Sequence, residues 1–472
     1  MDIFASDGWL TMAITSVNDF VWTYILIILL VGCGLYFTWR TRFVQLRMVG
    51  EMVRLIAEPS VKTGPKKHIS AFQAFAVSVA TRVGTGNLAG VATAIAMGGP
   101  GAVFWMWLIA LIGGATAFIE STLAQLYKRH GDDSYKGGPA YYIKYGLGRK
   151  WMAALFAVLI TLTFGLSYNS VQSNTICSAM HQAFGWNEIV VGAIISVVSL
   201  VIAFGGIQRI ARVSAVIVPL MAVGYFILAL VIVLMNYQLV PHVFKVIVTE
   251  AFGLGQFTGG LLGITVMYGI KRGLFSNEAG EGSAPNVAAT ASVSHPVKQG
   301  LVQALGVFTD TFLVCSCTAF IILISGVYSS GANGIALTQE AMQSQIGHWG
   351  KVFIAIAIFF FAFSSIIGNY YYGETNIQFL TRKRWALVVF RLFSGGVMVM
   401  LGALASLNFV WSLGDICMAM LTACNLAAII PLSKYAFKLL KNYQDQKRNG
   451  IASPTFKRDM LPDLKGDIQC WD

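Results

Sequence analysis

The strongest constraint on this chain is a series of long apolar runs that contain no charge, such as 151–180, 213–235 and 352–373. A helix of ~20 predominantly apolar residues crosses a bilayer. Apolar residues make up 56% of the 472, and charged residues only 11%, less than half of the ~25% usual in soluble domains. Disordered, collagen-like and ordinary cytosolic chains are excluded. The runs define an all-α polytopic membrane protein.

Eleven spans are predicted, near 18–39, 69–97, 100–127, 151–181, 188–206, 213–235, 258–292, 300–326, 350–381, 385–405 and 410–433. The net charge of +12 suggests nucleic acid until the charges are placed. Seven Lys and Arg lie in 40–68, six in 128–150, two in 207–212, one (Lys298) in 294–299, three in 382–384 and eight from 434 onward, 27 of 33 in every second connection. Basic loops mark the cytoplasmic side. The N-terminus is therefore expected outside and the C-terminus in the cytoplasm, as an odd number of spans requires. No nucleic-acid partner is expected, and the basic tail reads as an orientation determinant. The first run lacks a basic n-region and a small-residue cleavage site, so no cleavable signal is expected. Segment 40–68 is basic and partly amphipathic and is expected along the inner leaflet. Segment 241–275 also fits an external helix followed by a shorter span. His68, His130 and His295 fall at cytoplasmic loops and are expected to be solvated or interfacial. The seven cysteines have no zinc or disulfide spacing, and most read as small packing residues.

Two spans are interrupted. Segment 69–97 carries Arg82-Val83-Gly84-Thr85-Gly86-Asn87-Leu88-Ala89-Gly90 at its centre, and 258–292 carries Gly273-Leu274-Phe275-Ser276-Asn277-Glu278-Ala279-Gly280-Glu281-Gly282-Ser283-Ala284-Pro285. Glycine weakens a helix interior, and proline removes a backbone donor. Unwound backbone at membrane depth is tolerated only where it lines a cavity or is buried in protein. Paired broken helices at corresponding places in two halves point to a transporter's binding site. The places correspond: after the first span come five spans, 69–235, then five more, 258–433, each set opened by its broken segment. An odd repeat length inverts the second copy. The expected organisation is an N-terminal helix and cytoplasmic loop (1–68), two five-helix repeats (69–240 and 241–433) and a cytoplasmic tail (434–472). The GxxxG pairs Gly86/Gly90, Gly255/Gly259 and Gly269/Gly273 can equally mean close helix packing. Asn87, Asn277 and Glu278 beside the glycines favour a site, because polar groups in the bilayer are costly. A dinucleotide reading of Gly84-Thr85-Gly86 fails on glycine spacing and on the absence of a preceding strand.

The second motif resembles the signature of the alanine or glycine:cation symporters (sodium:alanine symporters). The stretches 83–92, 98–107, 137–142 and 361–367 agree with that family, and the similarity runs from roughly residue 20 to 440. The resemblance implies a LeuT-type fold, a five-plus-five inverted repeat with one extra N-terminal helix. It also implies sodium- or proton-coupled uptake of small amino acids, alanine and glycine foremost, through a bacterial plasma (inner) membrane, with no enzymatic activity and no organic cofactor.

The residues suit that chemistry. A zwitterion needs donors for its carboxylate and acceptors for its amine, and the ends of half-helices offer both. Thr85, Gly86 and Asn87 can supply donors, and Ser276, Asn277 and Gly280 can supply acceptors. The resemblance places Gln172 on a span facing the substrate; an interhelical hydrogen bond is the alternative. It also implies a cation, Na+, held by the hydroxyls of Ser364 and Ser365 and the carbonyls of Ala80 and Val83. Without the resemblance, such serines would back-bond to their own helix. Arg82, buried, is expected to need a carboxylate partner from Asp310, Glu374 or Glu120, and to leave room for one sodium. Asp415 is a further buried charge open to a gating, relay or counter-ion role.

A channel would favour a ring of identical polar residues, and a membrane hydrolase a nucleophile with its base. Neither pattern is present, and no Walker A motif supports ATP-driven transport.

Overall fold

The computed structural model describes residues 8–61, 68–131, 134–205, 207–253 and 260–471. The chain order is α1 (Trp9–Arg40), α2 (Val49–Ile56), α3 (Ala71–Arg82), α4 (Gly86–Gly98), α5 (Ala102–Leu126), α6 (Pro139–Tyr145), α7 (Lys150–Phe184), α8 (Glu188–Gly205) and α9 (Ile207–Met235). It continues with α10 (Val240–Ala251), α11 (Gly260–Asn277), α12 (Ala284–Ala288), α13 (Pro296–Ser325), α14 (Ile335–Ile346), α15 (His348–Leu380), α16 (Arg384–Leu404) and α17 (Leu407–Arg448).

Among the described residues, 7 helices are long and apolar enough to cross a membrane alone. The broken segments fall outside that set for a physical reason: each interruption leaves halves shorter than the ~20 residues a bilayer requires. Chain 241–275 is divided between two helices, α10 and α11. Helix α10 turns away from Leu220–Met235 by 79°, and α11 begins only at Gly260. Gly255 and Gly259 lie outside the described residues.

Glycines set the central packing. A Cβ on Gly269 would sit 2.5 Å from the Ala102 carbonyl oxygen, and one on Gly273 would sit 2.7 Å from Ile109. This pair therefore brings α11 against α5, the packing reading of its GxxxG spacing. Helix α13 packs along α5, and α15 lies against α3, α7 and α14.

The face bearing the basic loops is more structured than its composition suggests. Helix α3 opens with a capping box, Ser70 accepting from the Gln73 amide. Ile69 and Ala291, at the ends of the two broken segments, form a parallel bridge. The short hairpin Arg129–His130/Tyr135–Lys136 lies nearby. His130 is exposed as expected, but His295 is fully buried. Its Nδ1 accepts from the Val297 amide at 3.2 Å, capping α13, and burial holds its pKa down to about 3. Helix α17 runs well past the expected end at 433, to Arg448. The described cysteines are all free thiols.

Candidate substrate and ion site

The two breaks meet. Helix α3 ends at Arg82, and its carboxyl-terminal cap, Val83, adopts an extended conformation (ψ 99°). The wide π turn Gly86–Gly90 then starts α4. Such turns are frequent at functional sites, and two others bring Tyr168 (Thr163–Tyr168) and Asp310 (Thr309–Cys315) to the same region. In the second segment, Glu278, Gly280 and Gly282 adopt positive φ of 55°, 97° and 80°, so the chain leaves helical geometry between α11 and α12. A Cβ on Gly86 would lie 2.9 Å from the Ser276 Cα. Only glycine lets the two unwound segments approach this closely.

Asn87 is the centre of the contact. Its Oδ1 accepts from the Gly84 amide at 2.9 Å. Its Nδ2 donates to Asp310 Oδ1 at 2.7 Å and lies 3.0 Å from Ser276 Oγ. Ser276 Oγ donates to Asp310 Oδ2 at 2.6 Å. Gln172 Oε1 accepts from the Thr85 amide at 3.1 Å and from Thr85 Oγ1 at 2.7 Å. Thr85, Gly86, Asn87, Gln172 and Ser276 thus form one buried cluster. Gln172 makes the interhelical bond that was its alternative reading, and does so at the free N-terminus of the second half-helix.

Asn277 and Gly280 point elsewhere. The Asn277 amide donates to Thr311 Oγ1 at 3.3 Å, and its oxygen accepts from the Ala279 amide at 3.1 Å. The Gly280 amide donates to Glu120 at 3.3 Å, and its carbonyl accepts from Asn425 at 2.8 Å. Both residues hold the shape of the second break.

The ion candidates also converge. Ser364 Oγ donates to the Ala80 carbonyl at 3.1 Å and shares its proton with Phe361 O at 2.8 Å. Ser365 Oγ donates to Phe361 O at 3.1 Å and lies where a Cβ on Gly84 would be, 2.4 Å away. Val83, between Arg82 and Gly84, is fully buried. Back-bonding to α15 and proximity to the first break therefore coexist.

Arg82 lacks the expected carboxylate partner. It is 2% exposed, and Nη1 reaches only the Gln303 carbonyl, at 3.4 Å. Among the described residues no carboxylate lies within ion-pair distance of it. The three candidates are engaged otherwise: Asp310 by Asn87 and Ser276, Glu120 by Gly280 and Asn425 (2.8 Å), and Glu374 by Arg391 at 2.9 Å.

Composition could not single out the aromatic wall. Phe275 lies between Tyr168 and Trp411, with ring centroids 4.6 Å apart on each side and the planes tilted by 52° and 55°. The Arg272 guanidinium lies 4.1 Å from the Trp411 ring centre and ion-pairs with Asp415. Lys271 lies 3.7 Å from Asp415 and 3.8 Å from Asp19 of α1. These charges floor a cavity of about 380 Å³ between α1, α11 and α17.

Two broken helices meeting at a buried polar cluster, beneath an ion-paired vestibule, define the class of membrane transporters. Residues 7–458 match the model of the sodium:alanine symporter family, and the chain belongs to that family: it is a multi-pass symporter and not an enzyme. It is 51% identical over 457 residues to the probable sodium/glutamine symporter GlnT of Bacillus subtilis, covering 96% of this chain and 94% of that one. It is 50% identical to the amino-acid carrier protein AlsT of the same organism, with 96% of each chain covered. It is 34% identical to the sodium/alanine symporter AgcS of Methanococcus maripaludis, over 92% of this chain and 98% of the relative.

Proposed function

We propose that this protein imports small neutral amino acids, alanine and glycine, together with sodium across a bacterial plasma membrane, with its N-terminus outside. The proposed frame is the LeuT-type five-plus-five repeat, 69–240 and 241–433, behind one extra helix. The observation that best supports this reading is the contact of Gly86 with Ser276, which joins the two unwound segments around Asn87. There, half-helix ends supply N–H donors for a carboxylate and carbonyls for an amine. In this reading the sodium sits between the Ala80 and Val83 carbonyls and the Ser364 and Ser365 hydroxyls. Arg82, two residues beyond Ala80, holds the local cation count at one.

A second reading, proton coupling, draws on Glu120, Glu278, Glu281 and Asp310. All four are buried and make no ion pair among the described residues, and uncompensated charge is expensive there. A relative 44% identical is named a putative sodium/proton-dependent alanine carrier protein. Another is named for glutamine, so glutamine belongs among the substrates tested. Uptake of labelled alanine, glycine and glutamine into proteoliposomes under an imposed sodium, proton or null gradient decides between these readings. Sodium-driven alanine uptake lost in Ser364→Ala/Ser365→Ala supports the first. Proton-driven uptake unaffected by the double change overturns it.

A further inference from the structure

The segment after α17 is not a free basic tail. Past Arg448 the chain turns at Gly450 (φ 83°) and runs back under the bundle. The Phe456 amide donates to the Ser294 carbonyl at 2.9 Å, and Ser294 Oγ donates to the Pro454 carbonyl at 2.8 Å. Lys298 and Ser453 both donate to Glu58, at 2.5 and 2.6 Å, which ties the tail to the loop after α2. Farther along, Tyr127 Oη donates to the Lys465 carbonyl at 2.9 Å, and Arg129 pairs with Asp467 at 2.8 Å. Trp471 ends the path. Its Nε1 donates to the Gln125 carbonyl at 2.9 Å, its ring lies 4.6 Å from the Lys128 ammonium, and only 5% of it is exposed. Phe456 and Ile468 are buried beside it.

The segments gripped in this way surround the junction of the two broken helices. Ile69 bridges Ala291, the Ser292 amide donates to the Ile69 carbonyl at 2.8 Å, and the Val61 amide donates to the Ser292 carbonyl at 2.9 Å. Lys128 and Gln125 hold the Ala291 carbonyl from the other side, at 3.1 and 3.0 Å. The tail therefore touches this junction twice: through Ser294, three residues beyond Ala291, and through Gln125 and Lys128, which hold Ala291 itself. For a substrate to leave toward this face, the ends of the broken helices must separate, and contacts that exist only in the closed arrangement stabilise it. We propose that residues 450–471 are a cytoplasmic latch that holds the inner gate shut and sets the rate of release. This rests on the proposed orientation and on alternating access. It does not depend on which amino acid or ion is carried.

The test is hydrogen–deuterium exchange on the full chain in nanodiscs, without substrate, comparing the wild type with Trp471→Ala and Asp467→Ala. The latch predicts several-fold faster exchange at 288–294 and 69–72 in both variants, with 84–90 unchanged. Exchange at the junction equal to the wild type, in variants whose tail is shown to be released by its own fast exchange, overturns the proposal. A second arm covers a variant that does not fold: Arg129→Cys with Asp467→Cys, in a Cys470→Ser background, cross-linked by oxidation. Slowed junction exchange that reductant reverses supports the latch, and exchange indifferent to the cross-link refutes it. Failure of alanine transport in the wild type would instead count against the function proposed above and leaves both exchange results readable.

Discussion

Gly84→Ala is the sharpest probe of the ion site. Gly84 is not at positive φ, so alanine adds no backbone strain there. The new methyl would lie 2.4 Å from Ser365 Oγ, 3.2 Å from Gln172 Oε1 and 3.3 Å from Ser365 Cβ. The hydroxyl is the nearest atom, at 2.4 Å against 3.2 Å for the next, and the end of a rotatable side chain, so it is the group expected to move. If Ser365 is a sodium ligand, its displacement removes one polar contact to a charge, worth ~1.5–3 kcal/mol. At ~1.4 kcal/mol per decade, half-saturating sodium should rise by roughly 10- to 150-fold. Overpacking adds a stability loss of about 1–3 kcal/mol. The assay is the sodium dependence of initial alanine uptake in proteoliposomes, paired with thermal unfolding in detergent. Adding Ser365→Ala to Gly84→Ala should restore stability, since the clashing oxygen is gone, but should not restore sodium affinity. An unchanged sodium dependence in Gly84→Ala would refute the placement of the ion at Ser365.

Asn87→Ala should abolish substrate binding, since it removes the amide that joins the first break to Asp310 and Ser276. Asn277→Ala should lower stability by ~1–3 kcal/mol, the cost of unsatisfied buried partners, with alanine affinity near normal, because its amide serves Thr311 and the second break; equilibrium binding of labelled alanine separates the two. Asp415→Asn strips two buried cations of their shared partner and should cost ~3–5 kcal/mol, read as lost thermal stability. Burial opposes ionisation of Glu51, but hydrogen bonds from Arg54, Tyr443 and Lys447 outweigh it and hold its pKa at about 2. The contribution of Glu51 to docking α2 on α17 is thus complete above the ordinary carboxylate value, 4.5, and is lost as pH falls toward 2; Glu51→Gln should remove that dependence from α2 hydrogen exchange.

The parts legible in the sequence were those written in local chemistry. Charge-free runs marked the spans, and glycine with asparagine marked both breaks. The serine pair on α15 was tied to the first break only by the family resemblance, since local chemistry alone allowed back-bonding. Partners of buried charges were not legible, because they depend on which helices meet. Arg82 was expected beside Asp310, Glu120 or Glu374, but hydrogen-bond donors nearer in space had already engaged two of those carboxylates, and Arg391 the third. Asn277 sits in the signature beside Ser276, yet both lie on α11, where neighbouring side chains diverge by about 100°, so one meets Asp310 and the other Thr311. The path of the tail was not legible either: its eight lysines and arginines suggested only an orientation, whereas the burial of Phe456, Ile468 and Trp471 fixes where it lies.

The account turns on sodium and amino acid crossing together through one site. The most direct measurement is alanine-driven uptake of radioactive sodium into proteoliposomes, with labelled alanine counted in the same vesicles. The account predicts one sodium per alanine in the wild type and no alanine-driven sodium uptake in Ser364→Ala/Ser365→Ala. Alanine accumulation without accompanying sodium would contradict it.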